Sequence, residues 1–234
     1  MAEVLADARI AKDMALQMDL RRSRLAGGER PIGWKAGFGA PAAMQKLGLD
    51  GPLIGFMTDR SVVASGATVS TSGWTKPVAE PEIAVTMAAD LPGGADDAAA
   101  RAAIAGIAPA IELADLFEPP EDVEAILSGN IFHRFVILGA CDRSRAGASL
   151  DGLTARVGRN GAEVASTREV EANTGRLVDV VRRTADTLAT LGETLRAGDV
   201  VIAGSIVPPI FLDPSDREVA CTLDPIGTVS VRFG

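Results

Sequence analysis

The chain has 234 residues, 47% hydrophobic and 23% charged, with a net charge of −8 and a pI near 4.8. That length and balance suit one globular domain and exclude a disordered chain. The acidic excess argues against a nucleic-acid partner, whose binding uses clustered Lys and Arg. No apolar run approaches the ~20 residues needed to cross a bilayer, and Met1-Ala2-Glu3-Val4-Leu5-Ala6-Asp7 lacks the basic and apolar stretches of a signal peptide. With only Cys141 and Cys221 there is no disulfide framework, so a reducing, cytoplasmic setting with no membrane partner is expected. A single His excludes a multi-histidine zinc site.

In chain order, residues 3–25 place Leu5, Ile10, Met14, Met18 and Leu25 at helical spacing, and Gly27-Gly28 would end that helix. A Gly-rich strand or turn covers 32–39 and contains Lys35. Short strands are expected over 53–57 and 61–64, and a longer one over 78–87. There Pro81 implies an edge, a bulge or the strand's entry. Asp96 or Asp97 can cap an Ala-rich helix reaching about residue 105, and strands follow over 109–116 and 131–139. Asn160-Gly161 marks a hairpin between 153–157 and 163–166. Residues 177–191 repeat at helical spacing up to Gly192, a buried-type strand spans 200–203, and 219–223 with 228–233 form a closing hairpin. The expectation is α+β: one domain over 1–234 on a mixed β-sheet roll with flanking helices, of which 1–30 form an N-terminal helical segment.

The chemistry concentrates in Lys76-Pro77-Val78-Ala79-Glu80-Pro81-Glu82-Ile83-Ala84-Val85. In an extended chain Glu80 and Glu82 share a face ~7 Å apart, while Ile83 and Val85 face the other way. Two carboxylates bracketed by apolar residues need a counter-charge if buried. In Ala110-Ile111-Glu112-Leu113-Ala114, Glu112 projects between two small side chains, which leaves room for an ion beside it. Three carboxylates without His or Cys select Mg2+ or Mn2+ over zinc. A Glu-x-Glu pair also suits a solvated strand face, so spacing alone leaves both readings open.

Longer matches favour the first. Gly33-Trp34-Lys35-Ala36-Gly37-Phe38 resembles the Gly-Tyr-Lys-Ile-Gly-Leu segment of 2-keto-4-pentenoate hydratases, and Leu47-Gly48-Leu49-Asp50-Gly51-Pro52 with Gly55 resembles the turn after it. Val78-Ala79-Glu80-Pro81-Glu82-Ile83-Ala84 is similar to their Val-Glu-Ala-Glu-Ile-Ala metal strand, and Ala110-Ile111-Glu112 to the segment supplying a third carboxylate. The stretches 197–205 and 226–233 also match, in the same order along the chain. The resemblance implies the fumarylacetoacetate hydrolase fold, whose members include hydratases, 2-oxo acid decarboxylases and carbon–carbon hydrolases.

What the resemblance implies is a metal-dependent lyase on small 2-oxo acids, hydrating a 2-hydroxy-2,4-dienoate through a metal-stabilised enolate. Decarboxylation, carbon–carbon hydrolysis and a non-catalytic fold relative are the alternatives. Glu80, Glu82 and Glu112 would bind Mg2+ or Mn2+, and Lys35 and Glu82 would be catalytic. Lys35, Ser205 and Asp115 would contact the substrate, and the chain would be a homo-oligomer. Departures cluster at 116–134. Leu116 and Phe117 follow Asp115 where hydratases carry Ser-Arg, and Ser128-Gly129-Asn130-Ile131-Phe132-His133-Arg134 is also altered. His133 is expected to pack or to pair with a carboxylate. The His-Glu pair that the hydrolase branch carries near its N-terminus has no counterpart here.

Overall fold

The computed structural model describes residues 8–117 and 122–234. Helix α1 (Ala8–Ala26) buries Ile10, Met14 and Met18 along one stripe, and Gly28 at φ 94° follows its end. The expected helical residues 3–7 lie outside the described residues.

The larger sheet runs β2 (Leu53–Thr58), β1 (Pro31–Gly37), β9 (Val200–Ser205), β4 (Pro77–Met87), β5 (Ile104–Asp115), β6 (His133–Leu138), with the short β10 (Ile210–Phe211) against the outer end of β4. Only β1 and β9 pair in parallel, so the sheet is mixed. A second sheet runs β3 (Thr68–Val69), β12 (Gly227–Phe233), β11 (Glu218–Asp224), β7 (Thr154–Arg159), β8 (Ala162–Thr167). The β7–β8 hairpin turns at Asn160 and Gly161, both at positive φ as a type I′ turn requires. Ile83, Val85, Ile107 and Ile111 from the first sheet share one apolar core with Val219, Cys221, Val229 and Val231 from the second. Helix α5 (Leu177–Thr190) packs by its apolar face beside β9 and β1, and the short α3 (Asp97–Ala103) is capped by Asp96, whose carboxylate accepts from Ala99 N.

Four local readings are corrected or narrowed. Residues 61–64 are not a strand: a 3-10 turn at Asp59–Ser61 and a single bridge from Val62 to Val136 replace it. Ion pairing of Asp59 with Arg30, whose backbone N–H it also accepts, holds that turn. Of the edge, bulge or entry open to Pro81, the structure gives an irregular stretch inside a central strand, where the β4–β9 register shifts between Glu82 and Ala84. The Pro81 carbonyl accepts from Ile206 N on the side where β9 and β10 leave a gap, so its missing N–H falls where no partner strand asks for one. Strand β5 begins at Ile104, five residues earlier than Pro109, because its Ala-rich start is completely buried between the layers. Strand β6 begins at His133, because Asn130, Ile131 and Phe132 all take left-handed backbone (φ 57°, 52°, 62°). Helices α2 (Pro41–Leu47) and α4 (Val123–Ser128) carried too little apolar periodicity to be anticipated. Among the described residues no helix is long and apolar enough to span a membrane.

Candidate active site

The β4–β5 register sets Glu80 directly across from Glu112 and Glu82 across from Ala110. Alternation along each strand then does the rest. The face of β4 carrying Glu82, Glu80 and Val78 is the face onto which β5 presents Glu112 and Ala114. One carboxylate oxygen from each of Glu80, Glu82 and Glu112 lies within 4.8 Å of the others. Glu82 and Glu112 are each 1% exposed and Glu80 is partly buried.

Burial and mutual repulsion shape their protonation. Burial, then Glu112, raises the Glu80 carboxyl to about 7. Burial and the two neighbouring carboxylates push Glu82 well above its ordinary value, with Gly204 N–H, 2.7 Å from Glu82 Oε2, opposing. Glu112 goes the other way. Burial alone would raise it, but the Lys35 ammonium and a hydrogen bond from His133 outweigh burial and hold it below the usual carboxylate range. Lys35 Nζ donates to Glu112 Oε1 and, at 2.9 Å, to the carbonyl of Ile131.

The left-handed run at 130–132 explains why that carbonyl is available. Asn130 is clamped to β2, with Oδ1 accepting from Phe56 N and Nδ2 donating to Phe56 O, both at 2.9 Å. A Cβ at Gly55 would meet Asn130 Oδ1 at 2.9 Å and Lys35 Cγ at 3.0 Å, so only glycine lets the clamp and the lysine close together. The turn aims Ile131 O at Lys35 and delivers His133 to the back of Glu112.

The carboxylates open on a cavity of ≈ 350 Å3, lined at its polar end by Lys35, Glu80 and Glu82. Farther along the same strand faces come Val78, Ala114 and then Leu116, with Phe38, Phe132 and Phe211 completing an apolar wall. Ser205 lines the cavity, its hydroxyl 3.4 Å from Pro81 O. Asp115, expected at the substrate, does not line it. Its Oδ1 accepts from the N–H groups of Thr75 (2.8 Å) and Lys76 (2.9 Å), and its Oδ2 accepts from Arg134 at 3.1 Å. The carboxylate is consumed in tying the entry of β4 to the end of β5. Of the residues singled out from sequence, Lys35, Glu80, Glu82, Glu112 and Ser205 are thus brought together and Asp115 is not. The Ile131 carbonyl and Gly204 N–H escaped sequence reading, since backbone groups carry no side-chain signal.

The donor set fits a hard divalent cation. Three carboxylates bring three negative charges, Lys35 returns one positive charge, and a divalent ion neutralises the remainder with oxygen ligands only.

Relatives agree with this architecture. The sequence model of the family described as fumarylacetoacetate (FAA) hydrolase, C-terminal, matches residues 37–233. A 2-hydroxyhexa-2,4-dienoate hydratase of Comamonas testosteroni is 28% identical over 223 residues, covering 93% of this chain and 84% of the relative. A 4-oxalocrotonate decarboxylase of Pseudomonas putida is 28% identical over 221 residues, covering 93% and 83%. The solved structure of 4-oxalocrotonate decarboxylase from Pseudomonas putida G7, complexed with magnesium and adipate, superimposes with a TM-score of 0.85 at 26% identity, covering 96% of this chain and 86% of that one. The same enzyme complexed with calcium and acetate gives 0.86 at 28%. Since the family match spans residues 37–233, with Glu80, Glu82 and Glu112 all inside it, the chain belongs to the fumarylacetoacetate hydrolase C-terminal family.

Proposed function

We propose that the chain is a divalent-metal-dependent lyase of small 2-oxo acids, with hydration of a 2-hydroxy-2,4-dienoate as its reaction. The observation that carries this reading is the buried Glu80–Glu82–Glu112 cluster, opening beside Lys35 onto an apolar-walled cavity. Glu80, Glu82 and Glu112 would hold Mg2+ or Mn2+. When bound, such an ion supplies Lewis-acid polarisation of a keto oxygen and its neighbouring carboxylate oxygen.

The chain's own groups do the remaining work. Lys35, fixed by Glu112 and Ile131 O, lines the cavity and keeps a proton-bearing cation where charge develops on an oxo acid's polar head. Glu82, steadied by Gly204 N–H, is the second group assigned to catalysis. The Ser205 hydroxyl at the wall hydrogen-bonds the substrate. The succession from carboxylates to Val78, Ala114 and Leu116 matches a molecule with a chelating head and a hydrocarbon tail, and the apolar wall limits bulk water around the reacting carbons. Decarboxylation of a related 2-oxo acid is the second reading, supported by the likeness in sequence and shape to 4-oxalocrotonate decarboxylase. A homo-oligomeric, cytoplasmic enzyme of aromatic-compound catabolism is the setting this reading implies.

Calorimetric titration with Mg2+ and Mn2+, with and without oxalate, tests the centre. Wild type is expected to bind, oxalate to tighten binding, and Glu82→Ala to weaken it by more than about 100-fold, beyond what loss of a supporting contact costs. Absence of binding by wild type overturns the reading. Loss of dienol absorbance from 2-hydroxypenta-2,4-dienoate, measured against carbon dioxide release from 4-oxalocrotonate, then separates hydratase from decarboxylase.

A further inference from the structure

His133, the only histidine, stands outside the cavity lining yet contacts the carboxylate cluster from behind, at Glu112. Its Nδ1 lies 2.7 Å from Glu112 Oε1, the same oxygen that accepts from Lys35. Both donors therefore converge on Oε1, and among the described residues Oε2 accepts no hydrogen bond. The imidazole side chain is 1% exposed and its Nε2 is buried without a partner.

That geometry fixes the tautomer. Glu112 Oε1 already accepts from Lys35, which can only donate, so Nδ1 meets the same oxygen as a second donor and Nε2 keeps its lone pair. A second N–H at Nε2 would be a buried donor with nothing to accept it.

We propose that His133 is a positioning residue for Glu112: its Nδ1–H, with Lys35, pins Oε1 so that Oε2 alone is presented to the divalent ion. The inference rests on the metal-site reading above. Without His133 the carboxylate is free to rotate about its last torsion, because Lys35 alone can follow either oxygen on a flexible stem. The ion then meets a mixture of carboxylate orientations, and affinity falls. Partners of metal ligands are worth about 10–100-fold in affinity. The means of placing the imidazole is the left-handed run at 130–132, which ends the irregular backbone one residue before His133 and starts β6 with the ring turned toward β5.

The test uses the amide pair that mimics one ring nitrogen or the other. In His133→Asn the amide N–H sits where Nδ1–H was, whereas in His133→Gln it reaches toward the former Nε2. His133→Phe keeps a ring and removes both. Mn2+ and Mg2+ affinities are measured by calorimetry, with the Mn2+ electron paramagnetic resonance spectrum as a second readout. His133→Phe is expected to bind about 10–100-fold more weakly with an altered Mn2+ spectrum, His133→Asn to return close to wild type, and His133→Gln to stay weak. Equal affinity of His133→Phe and wild type overturns the inference and leaves the metal site standing. Should His133→Phe fail to fold, equal binding by the Asn and Gln variants overturns it instead. A wild type that binds neither ion overturns the metal reading itself.

Discussion

The strand pair β4–β5 and the turn at 128–134 supply the two halves of the site by opposite means. In the strand pair, ordinary pleating places three carboxylates at one end of a cavity, beside a proline set where partner strands leave a gap. In the turn, three successive non-glycine residues occupy left-handed backbone, a conformation that costs roughly 1–2 kcal/mol for each residue with a Cβ. The structure meets that cost with Asn130's two hydrogen bonds to Phe56, and with Ile131 N and Asn130 N donating to Ile126 O and Leu127 O. Regular backbone thus places charge, and strained backbone places the groups that manage it, the Ile131 carbonyl and His133.

Breaking the turn should cost most. Asn130→Ala leaves the Phe56 N–H and C=O buried and unpaired and frees the left-handed run. A loss of about 2–4 kcal/mol is expected, from roughly 1–3 kcal/mol for each orphaned group. Thermal unfolding checks it, and an unchanged melting temperature would mean that the clamp contributes nothing. Metal affinity should fall in the same variant, because Lys35 and His133 lose their settings.

The strand half is sharpened by pH. Burial raises Glu80 from 4.5 to about 7, so between those values the folded chain holds a proton that the unfolded chain has released. Raising the pH through that window therefore removes stability from the metal-free protein. Below 4.5 both states hold the proton and the contribution is complete; above about 7 it is gone. Saturating Mg2+ should reverse the trend, since the ion binds the ionised carboxylates of the folded state only. Melting curves from pH 4.5 to 8, with and without Mg2+, check this. Glu82→Gln should flatten the metal-free curve by removing a second carboxyl that burial and its neighbours raise, and a slope unaltered by either change would contradict the account.

The smallest effect concerns what carries the chain into the turn. Asp122 caps α4, its Oδ1 accepting from Ala125 N at 3.0 Å. Asp122→Ala should cost about 1 kcal/mol. If the turn depends on α4 for its orientation, the same substitution lowers metal affinity by a small factor. If Asn130 alone fixes the turn, affinity is untouched.

The contrast also divides what was readable in advance. Glu80, Glu82 and Glu112 were legible because period-two alternation is local and their apolar neighbours make burial expensive without a cation. Lys35 was legible through its Gly-rich setting. Asp115 was placed at the substrate through the resemblance alone. Three residues beyond Glu112 on an extended strand, it turns to the opposite face, where two backbone N–H groups and Arg134 claim it. His133 drew attention only as a lone histidine, and its distance to Glu112 depends on the turn before it.

The sequence by itself determined the strand alternation, the hairpin at Asn160-Gly161, the amphipathic α5 and the shared face of Glu80 and Glu82, since each follows from neighbours a few residues apart. Tertiary structure decided which sheet Pro81 lies in, where β5 begins, why Asn130 to Phe132 hold left-handed backbone, and which donors reach Glu112. Those outcomes depend on burial and on partners far along the chain, such as His133 for Glu112 (21 apart), Asn130 for Phe56 (74 apart) and Gly204 for Glu82 (122 apart). A local pattern holds no record of such distances, because only closure of the sheets brings those groups into hydrogen-bond range.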